Sequence, residues 1–134
     1  MPIAYERDDQ RRLITVTVTE PYSADDILRV IDRQAGEDTW GHAMLYDLRR
    51  MTNAWTEADL QRMADRVKVA GGGRERGPVG IAIRARPELF LVFLVYATLT
   101  KELMTVEVLL TAAQRVAWLA RNTRGGSSRQ PYPT

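Results

Sequence analysis

The sequence predicts an α/β fold, and three observations carry that reading. Ile14, Val16 and Val18 alternate with Thr15, Thr17 and Thr19, the two-residue period of a half-buried strand rich in β-branched side chains. Three later apolar runs, 43–48, 79–83 and 104–110, have strand length, and each is followed by a segment with helical spacing. At each of these handovers stands a residue suited to open a helix: Thr56, Pro87 and Thr111.

Taken in order, residues 3–7 form a first short strand, and Asp8-Asp9-Gln10 turns it into a hairpin with the strand at 13–19. Pro21 and Tyr22 stop that strand. Ser23 caps the first helix, with Asp25 and Asp26 near the positive end of its dipole and Ile27, Leu28, Val30 and Ile31 as its buried side. The third strand, 43–48, leads to a helix from Thr56 to about residue 70, where Leu60, Met63, Ala64 and Val67 make one apolar stripe. The glycine-rich stretch 71–78 breaks this helix and reads as a flexible connector. It follows a helix and lacks the Gly-Lys-Ser/Thr of a phosphate-cradling loop.

Residues 79–83 form a fully buried fourth strand. Pro87 then opens the third helix at the position where its missing N–H costs nothing. A fifth strand at 104–110 precedes a last helix, begun by Thr111, that carries Val116, Trp118 and Leu119. The order β-β-α-β-α-β-α-β-α demands a mainly parallel five-stranded sheet with helices packed on it. One domain spans 1–121, and 122–134, rich in Gly, Ser and Pro, reads as a flexible tail.

Composition narrows the function classes. At 134 residues and 45% hydrophobic content the chain can bury one sheet under helices. It has no cysteine, which excludes disulfides, thiolate metal sites and a Cys nucleophile. A single histidine, His42, excludes a multi-histidine metal centre and reads as a surface or loop-packing residue. A net charge of +2 is near balance, so no nucleic-acid partner is expected. The N-terminus has no apolar signal core, and no run is long enough to span a bilayer; a cytoplasmic protein without membrane insertion is expected.

At the level of short motifs the chain resembles a family. The opening Ile3-x-Tyr5, the early hairpin, the strand end Tyr46-Asp47-Leu48-Arg49 and the closing Ala117-Trp118-Leu119 look like the STAS, or SpoIIAA-like, proteins. These are bacterial relatives of the anti-sigma factor antagonists, with the lipid-binding Sec14-type domains as a structural cousin. The resemblance covers roughly 3–121 and implies a SpoIIAA-like fold and a regulatory role without catalysis or cofactor. Antagonists of this kind carry Asp-Ser-Ser-Gly where the second main helix begins, and the Ser is phosphorylated by a partner kinase. Here the matching stretch reads Trp55-Thr56-Glu57-Ala58, which keeps a hydroxyl at Thr56 but lacks the Asp and the Gly. Thr56 is thus the candidate phosphoacceptor, beside its plainer role as an N-cap.

Two further groups stand out. Arg49, Arg84 and Arg86, with Arg50, follow the third and fourth strands, so they gather at the rim where the strands of a parallel sheet end and ligands commonly sit. Guanidinium groups and helix N-termini there make a candidate anion site, unless these arginines simply pair with Glu57, Asp59 or Glu88. Asp47, at a strand end, has no nucleophile or second acid beside it and is expected to bond loop N–H groups.

The third helix, 89–97, contains no charge and is apolar on every side, although a helix lying on a sheet needs one apolar face. Part of the set Phe90, Phe93, Leu94 and Tyr96 is expected to remain exposed and to serve a homodimer or a protein partner. Trp118 is assigned to the core, and Trp55, on a loop, to a contact surface. Together these readings predict a non-enzymatic protein-interaction domain, with Asp47, Arg49, Arg50, Trp55, Phe90, Phe93 and Tyr96 at its surface. The alternative is a module for a small apolar or anionic ligand, lipid included, with a pocket under the third helix.

Overall fold

The computed structural model describes residues 2–53 and 55–123. Its elements are β1 (Ile3–Asp8), β2 (Leu13–Val18), α1 (Ala24–Gly36), β3 (Ala43–Asp47), α2 (Glu57–Gly71), β4 (Val79–Ala82), α3 (Pro87–Leu99), β5 (Val106–Leu109) and α4 (Ala112–Asn122). The expected element order is present. The strands lie in one sheet in chain order, β1-β2-β3-β4-β5. β1 pairs antiparallel with β2 through a tight turn, whereas the three later pairings are parallel. The sheet is therefore mixed, because a turn suffices for a hairpin but each parallel strand has to return through a helix.

Register sorts the two faces. Val16 lies opposite Tyr46, Tyr46 opposite Ile81, and Ile81 opposite Val108, so these residues share one face. Against it pack Ile27 and Ile31 of α1, Leu60, Met63 and Val67 of α2, and Leu89, Phe93 and Tyr96 of α3, in the main core. Each such side chain contributes about 1.5–3 kcal/mol when fully buried. On the other face a smaller cluster joins Leu13, Ala43, Leu45 and Leu109 to Trp118 of α4. Gly80 is what lets α4 approach: a Cβ there would lie 2.8 Å from the Trp118 ring.

Caps follow the sequence. The Ser23 N–H donates to the Asp26 carboxylate (2.8 Å) at the start of α1. Thr56 accepts from the Asp59 N–H (3.1 Å), and Thr111 from the Gln114 N–H (3.1 Å). Gly72, at φ 60°, closes α2 in the left-handed conformation that favours glycine.

Two expectations need correction. The stretch 71–78 breaks α2 but is not a loose connector: the Arg76 N–H bonds the Leu103 carbonyl (2.8 Å) and the Gly77 N–H the Trp40 carbonyl (2.9 Å). β5 is shorter than 104–110, because the N–H groups of Leu103 and Met104 turn back onto the Thr100 carbonyl. Val116 faces solvent at 66% exposure, since α4 buries only the stripe of Trp118 with Leu119 partly behind it. The last helix runs to Asn122, and Thr123 bonds back to the Leu119 carbonyl (3.0 Å). The tail at 124–134 lies outside the described residues.

Gly77 is pressed on backbone: a Cβ would sit 2.4 Å from the His42 carbonyl oxygen and 2.5 Å from that of Gly41. Backbone cannot yield as a side-chain tip does. Gly77→Ala is expected to destabilise by about 2–4 kcal/mol, while Gly36→Ala, at a helix end with open space around it, should be neutral or stabilise by up to about 1 kcal/mol. Urea denaturation of the two variants checks the contrast.

Candidate functional site

The carboxyl ends of β3 and β4 do bring the predicted rim residues together. Arg49 grips Asp47 with both Nε and Nη2, each at 2.8 Å, and its backbone N–H adds a third bond at 3.2 Å. This guanidinium holds the Asp47 carboxyl below its ordinary pKa, with burial opposing it and the backbone bond assisting. Arg84 Nε donates to the Arg49 carbonyl (2.8 Å), and Arg86 Nη1 to the Thr52 carbonyl (3.1 Å). Arg86 also pairs with Glu88 (2.5 Å). Thr52 in turn donates its hydroxyl to Glu20 (2.9 Å). Three of the four rim arginines therefore clasp the loop after β3. Arg50 is exposed beside the shallow depression formed by Thr17, Val18, Asp47 and Arg49.

Thr56 caps α2 within this loop, its hydroxyl oxygen accepting from Asp59 and its residue exposed. Trp55, just before it, is half-buried and not a free contact residue. Its ring packs edge-on against Phe93 at 5.0 Å and Tyr22 at 6.3 Å, and its Nε1–H donates to the Tyr22 hydroxyl (2.8 Å). Burial pushes the Tyr22 phenol up to about 12.

α3 also departs from expectation. Phe93 and Tyr96, assigned to a partner surface, are 0% and 4% exposed, and Phe90 is half-buried. Leu89, Phe93 and Tyr96 follow the i, i+4, i+7 spacing of a helix stripe that faces the sheet. The side left over carries Leu91, Leu94, Val95 and Leu99, between 41% and 61% exposed. Periodicity alone could not choose between these faces, because every face of α3 is apolar.

The residue that sequence reading missed is Arg76. Its side chain is 3% exposed, among Trp40, Met44, Tyr46 and Met104. Nε donates to the Gln34 amide oxygen (2.8 Å), and Nη2 to the Tyr46 hydroxyl (3.3 Å) and the Met44 sulfur (3.2 Å). The Trp40 ring lies 5.1 Å from the guanidinium carbon. No carboxylate is in ion-pair reach of it among the described residues. A buried charge without a counter-ion costs several kcal/mol, which polar and cation–π contacts offset in part. One signal was available in the sequence: Gln34 continues the apolar stripe of Ile27 and Ile31 on α1, and a polar group at a core position requires a buried partner.

Tyr46 and Tyr96 line a small cavity together with Ile27, Leu48, Trp55, Met63 and Ile81. It encloses about 10 Å³, room for about one water. Burial, against the pull of the nearby Arg76, holds the Tyr96 phenol above its ordinary pKa.

His42 is a packing residue, 8% exposed with Nε2 3.1 Å from Asp9, and not a surface one. Among the described residues no three acidic or imidazole groups are placed to hold a metal, and no helix is long and apolar enough to cross a membrane.

The pairing of Asp47 has a pH signature. Its folded-state pKa is depressed, so the stabilisation it brings is present above the ordinary carboxylate range and lost as pH falls through the folded value. Asp47→Asn is expected to lower stability at pH 7 by about 1 kcal/mol and Tm by about 4 °C. Thermal melts from pH 7 to pH 2 should show the difference closing at the acid end.

The chain matches no family model, no curated protein and no solved structure.

Proposed function

We propose that this chain is a non-enzymatic regulatory domain that works through protein contacts, in the manner of the STAS and anti-sigma factor antagonist proteins its motifs resemble. The observation that carries the reading is the outer side of α3, where Leu91, Leu94, Val95 and Leu99 stand in solvent on successive turns. Apolar rows of this kind on a soluble domain mark interaction surfaces. β5 borders the sheet beside α3 with one edge unpaired among the described residues, which makes a second copy of the chain the first partner to test.

The rim loop supplies the regulated part of the surface. It is clasped by Arg84 and Arg86 yet ends at an exposed hydroxyl, Thr56, at a helix N-terminus. Phosphate there is favoured by the α2 dipole and adds negative charge to the rim loop. Asp47, at the strand end, is engaged by Arg49, which supports a docking role over acid–base chemistry.

Light scattering at high micromolar concentration tests the α3 surface. The wild type is expected to show dimer mass, and Val95→Glu to weaken the dimer roughly tenfold or more, because a carboxylate would be desolvated in the seam. Wild-type monomer throughout sinks the homodimer. Thr56→Glu should keep the circular dichroism spectrum and shift affinity for a protein captured on the rim; unchanged affinity removes the phosphate switch.

A further inference from the structure

The helices cover the sheet unevenly. α1, α2 and α3 pack over the face bearing Val16, Tyr46 and Ile81, while β1 lies one strand outside β2 at the end of the sheet. Ile3 is opposite Val18 and Tyr5 opposite Val16, so both side chains share that face. Between β1 and α1 runs a groove of about 210 Å³, with Ile3, Tyr5 and Val30 along it and Asp26, Arg29 and Arg33 beside them. These four α1 residues follow the i, i+3, i+4, i+7 spacing of one helix face.

The edge of β1 is open as well. The Thr19 N–H bonds the Pro2 carbonyl (2.8 Å), and hydrogen-bonded pairs alternate along an antiparallel ladder. The backbone groups of Ala4, Glu6 and Asp8 therefore turn toward β2. Those of Ile3, Tyr5 and Arg7 turn outward, where no strand pairs with them among the described residues. The charges that guard an edge stand at its far end, at Glu6, Arg7 and Asp8, and Ile3-Ala4-Tyr5 carries none. The groove itself presents positive charge. The Arg29 side chain is 69% exposed against 16% for its partner Asp26, and Arg33 53% against 28% for Glu37, so the guanidinium groups are the accessible halves of both pairs. The Arg33 guanidinium carbon lies 3.9 Å from the centre of the Tyr5 ring, which holds this charge beside the strand.

We propose that β1 and α1 form a docking groove for an extended acidic segment of a partner protein, which adds as a strand to the β1 edge, sets apolar side chains over Ile3 and Val30, and places carboxylates against Arg29 and Arg33. In this mode the backbone bonds supply affinity and alternate side chains supply specificity. Side chains two apart on the added strand face the groove together, so the recognised pattern alternates, with apolar residues at its centre and an acid two positions away. Guanidinium groups select carboxylate over ammonium at those outer positions. The groove is at the sheet edge opposite β5, so it does not depend on the α3 surface, and a strictly monomeric protein would carry it equally.

The probe is the acetylated and amidated peptide Glu-Thr-Ile-Thr-Val-Thr-Glu, whose Glu, Ile, Val and Glu side chains share one face. It is titrated into the isotope-labelled full chain, with amide shifts read by NMR and affinity by calorimetry. Wild type is expected to bind saturably, with the largest shifts at Ile3, Tyr5 and Arg7 and along 26–33. Lys in place of both Glu should weaken binding roughly tenfold or more, and N-methylation of the peptide backbone should abolish it. The double variant Arg29→Gln with Arg33→Gln should bind the Glu and Lys peptides alike. If that variant loses helical circular dichroism, wild type in about 1 M salt gives the same reading, because screening should shrink the preference for the Glu peptide. Absence of saturable binding at millimolar peptide overturns the groove. So does equal affinity for the Glu and Lys peptides in wild type, binding that survives N-methylation, or shifts centred on 91–99. Shifts at Ile3 and Tyr5 that grow with protein concentration alone assign the edge to a second copy, and overturn the peptide site.

Discussion

The arrangement of this molecule depends on one topological constraint: after the hairpin, every strand is added to the same growing edge of the sheet. A parallel strand reached through a helix requires a right-handed crossover, and crossovers that all advance in one direction put their helices on one face. α1, α2 and α3 therefore crowd side by side over the face bearing Val16, Tyr46 and Ile81. The opposite face is left to α4, which follows the last strand and crosses no further edge. The small cluster around Trp118 and the close approach at Gly80 follow from that.

The same constraint fixes where chemistry can gather. Parallel strands end on one rim, so the loops that follow β3 and β4 meet there, and the arginines after each strand meet one another's carbonyls. The rim is thus a mutual clasp. Asp47 anchors Arg49, Arg49 offers its carbonyl to Arg84, and Thr52 links Arg86 to Glu20. A loop held this way at several points presents Trp55 inward and Thr56 outward at adjacent positions, one against the core and one in solvent.

At the amino ends of the strands the loop before β4 does the opposite and turns a charge into the core. Arg76 can reach under Tyr46 because Gly77 lets the chain pass flush against the backbone of Gly41 and His42. Gln34 completes the arrangement by accepting from Arg76 and donating to the Thr39 carbonyl (3.1 Å). Polar groups placed this way specify one packing of α1 against the sheet, since any other leaves a buried donor unpaired.

Much of the fold was legible locally. The alternation at 13–19, the caps Ser23, Thr56 and Thr111, the helix-opening Pro87 and the strand–helix order are short-range properties, set by backbone sterics and side-chain period. They determined the α/β class, the element order and the grouping of Asp47, Arg49, Arg84 and Arg86 on one rim. Three matters were decided only in the folded chain. α3 is apolar on all sides, so its period carried no direction, and only packing chose Leu89, Phe93 and Tyr96 for the core over Leu91 and Val95. Trp55 stands on a polar loop, and its burial depends on Tyr22 and Phe93, which are distant in sequence. Arg76 lies in a glycine-rich polar stretch that reads as solvent-exposed, because burial of a charge is settled by long-range neighbours and not by the residues beside it.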